Sequence, residues 1–131
     1  MMMQAYVGCR TTKERKARGH GLGVYAVDAA GGWHHLQTVA GLDNPSFLAR
    51  AGDTLYAVHG DASMVSAFRI ASDGCLTPLG RQETGGRNPV HLVVHEPSRS
   101  LVVANYATGS VALLPLRPDG GLEPLCQVLD L

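Results

Sequence analysis

The sequence predicts an all-β chain, a partial β-propeller of nearly three four-stranded antiparallel blades. Three observations lead there. The chain repeats itself at an offset near 44 residues, since "NPSFLA" begins at Asn44 and "NPVHLV" at Asn88. Each repeat holds four short apolar segments, which is the size and strand count of a propeller blade. No window sustains the 3.6-residue apolar period of an amphipathic helix, so helix is expected to be nearly absent.

Blade one (1–42) is a partial copy. "AYVG" (5–8) takes the second-strand position, "GVYAVD" (23–28) the third and "WHHLQTV" (33–39) the fourth. Its inner strand is missing. Blade two (43–86) runs "NPSFLA", "LYAVHG" (55–60), "MVSAF" (64–68) and "DGCLTPL" (73–79). Blade three (87–131) answers with "NPVHLV", "LVVANY" (101–106), "SVALL" (110–114) and "DGGLEPL" (119–125). The extra residues of blade three fall where "EPSRS" (96–100) replaces "AGDT" (51–54). These segments are rich in Val, Leu, Tyr and Phe and are bounded by Gly, Asp and Asn-Pro, which is strand chemistry. "SDG" and "PDG" suit tight hairpins. A propeller closes with about four to eight blades, so three cannot close a ring. The chain reads as the first part of a longer propeller. In a closed ring the missing inner strand of blade one would come from the far C-terminus.

The 131 residues are 45% hydrophobic and 17% charged, which excludes a disordered chain, and 16 glycines with 7 prolines suit strands and turns. The formal net charge of zero gives no global attraction to nucleic acid or membrane. Cys9, Cys75 and Cys126 are widely spaced, so neither a zinc site nor a disulfide framework is indicated. They read as thiols in a reducing compartment. "MMMQAYVGCR" lacks the basic n-region of a signal peptide, and no apolar run reaches the ~18 residues of a membrane span. The expectation is a soluble cytoplasmic protein.

Strands in a blade alternate direction, so the loop entering the inner strand and the loop between strands two and three share one face. That rim carries Asn44-Pro45, "HGD" (59–61), "GGRNPVH" (85–91), "NYATG" (105–109) and "RTTKERKARGHG" (10–21). Polar residues gathered on one rim of a rigid scaffold are a common arrangement for a site. Asn88-Pro89 is expected to fix the turn, because proline sets its own φ and restricts the residue before it. Leu92 and Val94 then face one neighbouring blade. His91 faces the other way at the channel mouth, where Phe47 stands in blade two. Several patterns fail. On a strand His91 and His95 are about 13 Å apart, too far to share a metal ion. "GHGLG" (19–23) lacks the strand and helix of a dinucleotide loop, so no cofactor is expected. No GxSxG elbow exists.

The stretches "YVGCRTTKERKARGHGLGVYAVD", "NPSFLA", "LYAVHGD", "GGRNPVHLVV" and "VANYATGSVALLPL" resemble, in order, the N-terminal part of the bacterial lactonase propeller family. That family includes cycloisomerase-type 6-phosphogluconolactonases and fungal carboxy-muconate cyclases. The resemblance implies a seven-bladed propeller of well over twice this length, with its active site at one end of the channel. It also implies a catalytic histidine from a motif like "NPVHL", with Arg and Glu residues from later blades; only His91 has a counterpart here. The implied activity is hydrolysis of a sugar-acid lactone such as 6-phosphogluconolactone, or the related lactonising cyclisation. A different class of reading is a non-catalytic fragment serving as a binding or assembly module.

On this reading His91 is the general base that activates water against a lactone carbonyl, where otherwise it is a hydrogen-bonded strand-start histidine. Arg87 binds a substrate carboxylate or phosphate, or is an exposed loop charge. Asn105 and Tyr106 donate hydrogen bonds from the next loop, or hold an αL turn and pack on the rim. His59 and Asp61, at the equivalent place in blade two, form an orienting pair or lie in an Asx turn. Arg10 begins a basic insertion with Lys13, Arg15, Lys16 and Arg18, which attracts an anionic sugar acid or is a solvated mobile loop. The insertion lacks the interleaved aromatics of a nucleic-acid patch. The expected partners are a small anionic lactone or sugar acid, and either further copies of the chain or a complementing C-terminal piece.

Overall fold

The computed structural model describes residues 3–131. Its strands are β1 (Met3–Val7), β2 (Leu22–Val27), β3 (Trp33–Val39), β4 (Pro45–Ala51), β5 (Thr54–His59), β6 (Met64–Ile70), β7 (Leu76–Glu83), β8 (Pro89–His95), β9 (Ser100–Asn105), β10 (Ser110–Pro115) and β11 (Gln127–Asp130). They form three antiparallel sheets in the orders β1-β2-β3, β4-β5-β6-β7 and β8-β9-β10-β11. Helix among the described residues is limited to two 3₁₀ turns, Lys13–Arg15 and Glu96–Ser98. None is long and apolar enough to cross a membrane. The strand count, the pairing and the near absence of helix are those the repeat predicts.

The fourth strand of blade three departs from expectation. The repeat places it at 119–125, yet the regular ladder begins only at Gln127. Both blades carry a proline here. Blade two absorbs Pro78 at a bulge opposite Ala67 and Phe68. In blade three the irregularity spreads over 123–126. Leu122 makes an isolated bridge to Leu116, and the Glu123 and Cys126 N–H groups still donate to Pro115 and Leu113 at 2.9 Å each.

Blade two is buried on both faces, which is why β5 reads as an unbroken apolar run. Successive side chains on a strand point to opposite faces. Leu55 and Ala57 therefore pack with Leu22 and Val24 of blade one, together with Phe68 and Ile70. Tyr56 and Val58 pack with Leu92, Leu101, Val103 and Leu114 of blade three. A tyrosine closes each seam at the hairpin end. Tyr6 Oη donates to Gly74 O at 2.7 Å and Tyr56 Oη to Gly120 O at 2.6 Å. Each acceptor is the glycine of the next blade's Asp-Gly turn, at φ 92° and 89°. Burial pushes both phenols above their ordinary pKa. The outward faces of blades one and three keep apolar residues in solvent, with Trp33 56%, Val93 50% and Leu129 46% exposed.

Candidate functional site

The rim is a continuous run of loops, stitched by the asparagines of the two Asn-Pro steps. Both sit in the left-handed region, Asn44 at φ 40° and Asn88 at φ 54°. The expectation that Asn88-Pro89 fixes its turn rested on the proline; the structure adds the asparagine, held in the left-handed region. Proline disfavours α conformations in the residue before it. Asparagine tolerates αL better than most residues, and here it is held by bonds across the seam. Asn44 Oδ1 accepts from the N–H of Thr11 at 2.8 Å and of Thr12 at 3.2 Å, and Asn44 N–H donates to Thr11 Oγ1 at 3.0 Å. Asn88 Oδ1 accepts from Asp61 N–H at 2.8 Å, and Asn88 N–H donates to Ala62 O at 2.8 Å. Each seam thus has a reciprocal pair of hydrogen bonds at the same repeat position.

His91 follows directly. The ladder of β8 shifts between Pro89 and His91, as that of β4 shifts between Pro45 and Phe47. A bulge of this kind re-aims the side chain at a strand entry. His91 is exposed, and its ring centroid stands 4.5 Å from that of Phe47 with the planes at 47°. The two rings occupy the same repeat position in adjacent inner strands. Leu92 is buried toward blade two, with Val94 packed beside it.

The entry loop of β8 lies against the loop after β9. Tyr106 N–H donates to Asn88 O at 2.9 Å, Ala107 N–H to Arg87 O at 3.1 Å, and Arg87 N–H to Thr108 Oγ1 at 3.2 Å. The exposed side chains of Arg87 and Tyr106 are thereby brought onto the same loop pair as the approach to His91.

Two candidates turn inward. Asn105 is 2% exposed, and its Nδ2 donates to Thr84 O at 2.8 Å and weakly to Ser110 Oγ at 3.4 Å. Its Oδ1 is buried without a partner among the described residues. His59 is also 2% exposed. Its Nδ1 lies 2.7 Å from the carbonyl of Asp43 and its Nε2 2.6 Å from Ser66 Oγ. A carbonyl only accepts, so Nδ1 carries the proton and Nε2 accepts from the serine hydroxyl. Burial pulls the His59 pKa below its ordinary value, which favours this neutral form. With both ring nitrogens engaged, His59 has none left to present to a ligand at the rim.

Asp61 does not pair with His59. It binds the basic insertion in a forked contact, Arg15 Nε to Oδ2 at 2.6 Å and Arg15 Nη2 to Oδ1 at 2.7 Å, with Arg10 Nη1 at 3.3 Å from Oδ2. The Arg15 hydrogen bond holds the Asp61 carboxyl below the usual carboxylate range. The insertion is therefore tethered at Arg10 and Arg15 instead of being a free solvated loop. Beside it opens a cavity of about 510 Å³ lined by Thr12, Arg15, Asn44, Gly60 and Asp61. Sequence reasoning placed Arg15 in the basic insertion but missed its pairing with Asp61, and missed the stitching role of the asparagines. The signal was present, an Asn-Pro step once per repeat with a polar loop one blade earlier.

A family model described as "Lactonase, 7-bladed beta-propeller" matches residues 4–131. The chain belongs to the lactonase family of seven-bladed β-propellers. It is similar to a 6-phosphogluconolactonase of Formosa agariphila, 30% identical over 133 residues that cover 92% of this chain and 35% of the relative. A Bacillus subtilis 6-phosphogluconolactonase is 32% identical over 89 residues, covering 64% and 26%. Among solved structures, a Bacteroides fragilis protein superposes with a TM-score of 0.87 at 27% identity, covering 99% of this chain and 36% of that one. The periplasmic gluconolactonase of Pseudomonas aeruginosa superposes at 0.84 with 30% identity, covering 98% and 39%. The chain spans about a third of the length of these relatives, in keeping with its three sheets out of a lactonase's seven blades.

Proposed function

We propose that this chain supplies three blades of a lactonase that hydrolyses a sugar-acid lactone such as 6-phosphogluconolactone. The observation that carries the reading is His91, exposed at the bulged entry of an inner strand in a chain of the lactonase family. As general base, His91 takes a proton from water as the water oxygen bonds to the lactone carbonyl carbon. The ring C–O bond then breaks, the leaving oxygen takes up a proton, and the product is an open sugar acid. Arg87 binds the anionic group or the developing oxyanion. Tyr106 offers a hydroxyl to the sugar. Arg10, held by Asp61, adds positive potential at the rim. His59 and Asn105 support the loops from inside.

The remaining blades complete the site, so the test joins this chain to the rest of the propeller and assays 6-phosphogluconolactone. His91→Gln lowers kcat by ~10²-fold or more if general-base help is lost, with little change in melting temperature because the side chain is exposed. Full activity with a much earlier melt makes His91 structural and ends the assignment. A cytoplasmic location is part of the reading. It is supported by three unpaired cysteines, which suit a reducing compartment. Recovery of the protein from a periplasmic fraction refutes it.

A further inference from the structure

Asp61 touches all three blades. It belongs to the loop after β5 in blade two and sits in the left-handed region at φ 65°. Its carboxylate is clamped by Arg10 and Arg15 from blade one. Its backbone N–H is given to Asn88 Oδ1 of blade three at 2.8 Å. Asn88 in turn fixes the first turn of β8. It sits at φ 54°, takes Asp61 N–H on its side chain, gives its own N–H to Ala62 O, and accepts Tyr106 N–H on its carbonyl. Three residues later, past the bulge, stands His91.

We propose that Asp61 and Asn88 form a positioning relay, in which the basic loop clamps Asp61, Asp61 holds Asn88, and Asn88 sets where the bulged entry of β8 presents His91.

The physical case rests on where His91 gets its aim. Its neighbour Leu92 is locked in the core at 2% exposure, so the far side of the residue is fixed by packing. Its near side is held by the entry loop. That loop is anchored from blade two chiefly through Asn88, with a longer bond from Thr84 Oγ1 to Gly86 O at 3.3 Å, and from blade three through the Tyr106 and Ala107 amides and Thr108 Oγ1. The ring contact with Phe47 holds only while the strand entry keeps its offset. A backbone amide accepted by a side-chain oxygen is a directional constraint, and deleting the oxygen leaves the amide to find water. The clamp on Asp61 is ionic and solvent-exposed, so it is weakened by salt while the buried packing is not.

The catalytic consequence rests on the reading of His91 as base, but the relay has a readout that does not. Asn88→Gly keeps the left-handed backbone and removes the side chain with its Oδ1 acceptor, whereas Asn88→Asp keeps an acceptor there. The rate at which diethylpyrocarbonate modifies His91, read by mass spectrometry against His34 in blade one, reports its presentation. Loss of one such hydrogen bond shifts a local equilibrium about fivefold, so Asn88→Gly changes the His91/His34 ratio by about that factor and Asn88→Asp restores it. Asp61→Gly keeps its own N–H but releases Arg10 and Arg15. It moves the ratio in the same direction by less, as does raising NaCl to about 1 M in the parent chain. An unchanged ratio in folded Asn88→Gly overturns the relay. If that variant fails to fold, an unchanged ratio in Asp61→Gly overturns it instead. With the propeller completed, Asn88→Gly lowers kcat and leaves KM nearly unchanged. Full activity of His91→Gln would remove the base assignment while leaving the labelling result, and the relay, standing.

Discussion

Asn44 offers the sharpest test of how the blades are joined. It is 1% exposed and lies at the seam of blades one and two. Replacing it with glycine removes an oxygen that accepts Thr11 N–H at 2.8 Å and an amide that donates to Gly60 O at 3.0 Å. Gly60 is buried, so its carbonyl has no ready access to water. A buried polar group left unpaired costs about 1–3 kcal/mol. The half-buried Thr11 amide sits at the low end of that range and the Gly60 carbonyl higher, so Asn44→Gly is expected to cost about 2–4 kcal/mol. Asn44→Ala deletes the same bonds and must also hold φ 40°, where a Cβ is unfavourable by about 1–2 kcal/mol. Alanine should therefore be the worse of the two, although it is the better residue almost everywhere else. The assay is urea unfolding followed by far-UV circular dichroism, with the slope compared across variants to check that the denatured state has not changed. A loss for Asn44→Gly below about 0.5 kcal/mol, the scale of an ordinary surface change, would refute the idea that this side chain joins the blades. Equal losses for glycine and alanine would refute the argument from backbone conformation.

Three further outcomes are expected. His59 is buried and neutral with its pKa lowered from 6.5, so the unfolded chain binds the proton more readily. Stability falls as pH drops below about 6.5 toward the folded-state pKa. This slope should flatten in His59→Asn, the residue blade three carries at the equivalent place; an unaltered slope in urea melts between pH 7 and 5 assigns the effect to another group. Gly8→Ala places a Cβ against the backbone carbonyl of Pro45, which also accepts Cys9 N–H at 3.0 Å, and backbone cannot step aside. A marked fall in melting temperature is expected, and a melt within a degree or two of the parent contradicts this seam geometry. The 131-residue chain, with Trp33, Val93 and Leu129 exposed on its outer sheet faces, should associate as concentration rises. A monodisperse monomer by light scattering, with a cooperative melt, counts against it.

The internal repeat and its short apolar segments were enough to count eleven strands and to locate ten of them, because strand pairing in a propeller is local and each blade restates the same pattern. His91 and Phe47 were legible as equivalent positions of the repeat, but not as neighbours; only the structure shows their rings meeting, on the side of blade two that Leu92 also faces. The start of β11 was not legible, since the residues of "DGGLEPL" match those of β7 and only the paired neighbour shows where the ladder resumes. Of the polar candidates, sequence placed His59 and Asn105 on the rim with the others. Which way each turns depends on the carbonyls of Asp43 and Thr84, which come from the link that enters its own blade.

What the sequence determined by itself was therefore periodic: all-β class, blade size, strand order, and a polar rim that starts each inner strand with Asn-Pro. These follow from residue spacing, which a chain carries before it folds. What only the tertiary structure decided was pairing across seams. Asp61 meets Arg15 and Asn88, Tyr56 meets Gly120, and Thr11 meets Asn44 over separations of 27 to 64 residues. A hydrogen bond is set by distance and angle within fractions of an ångström, and those are fixed only when two blades have packed against each other.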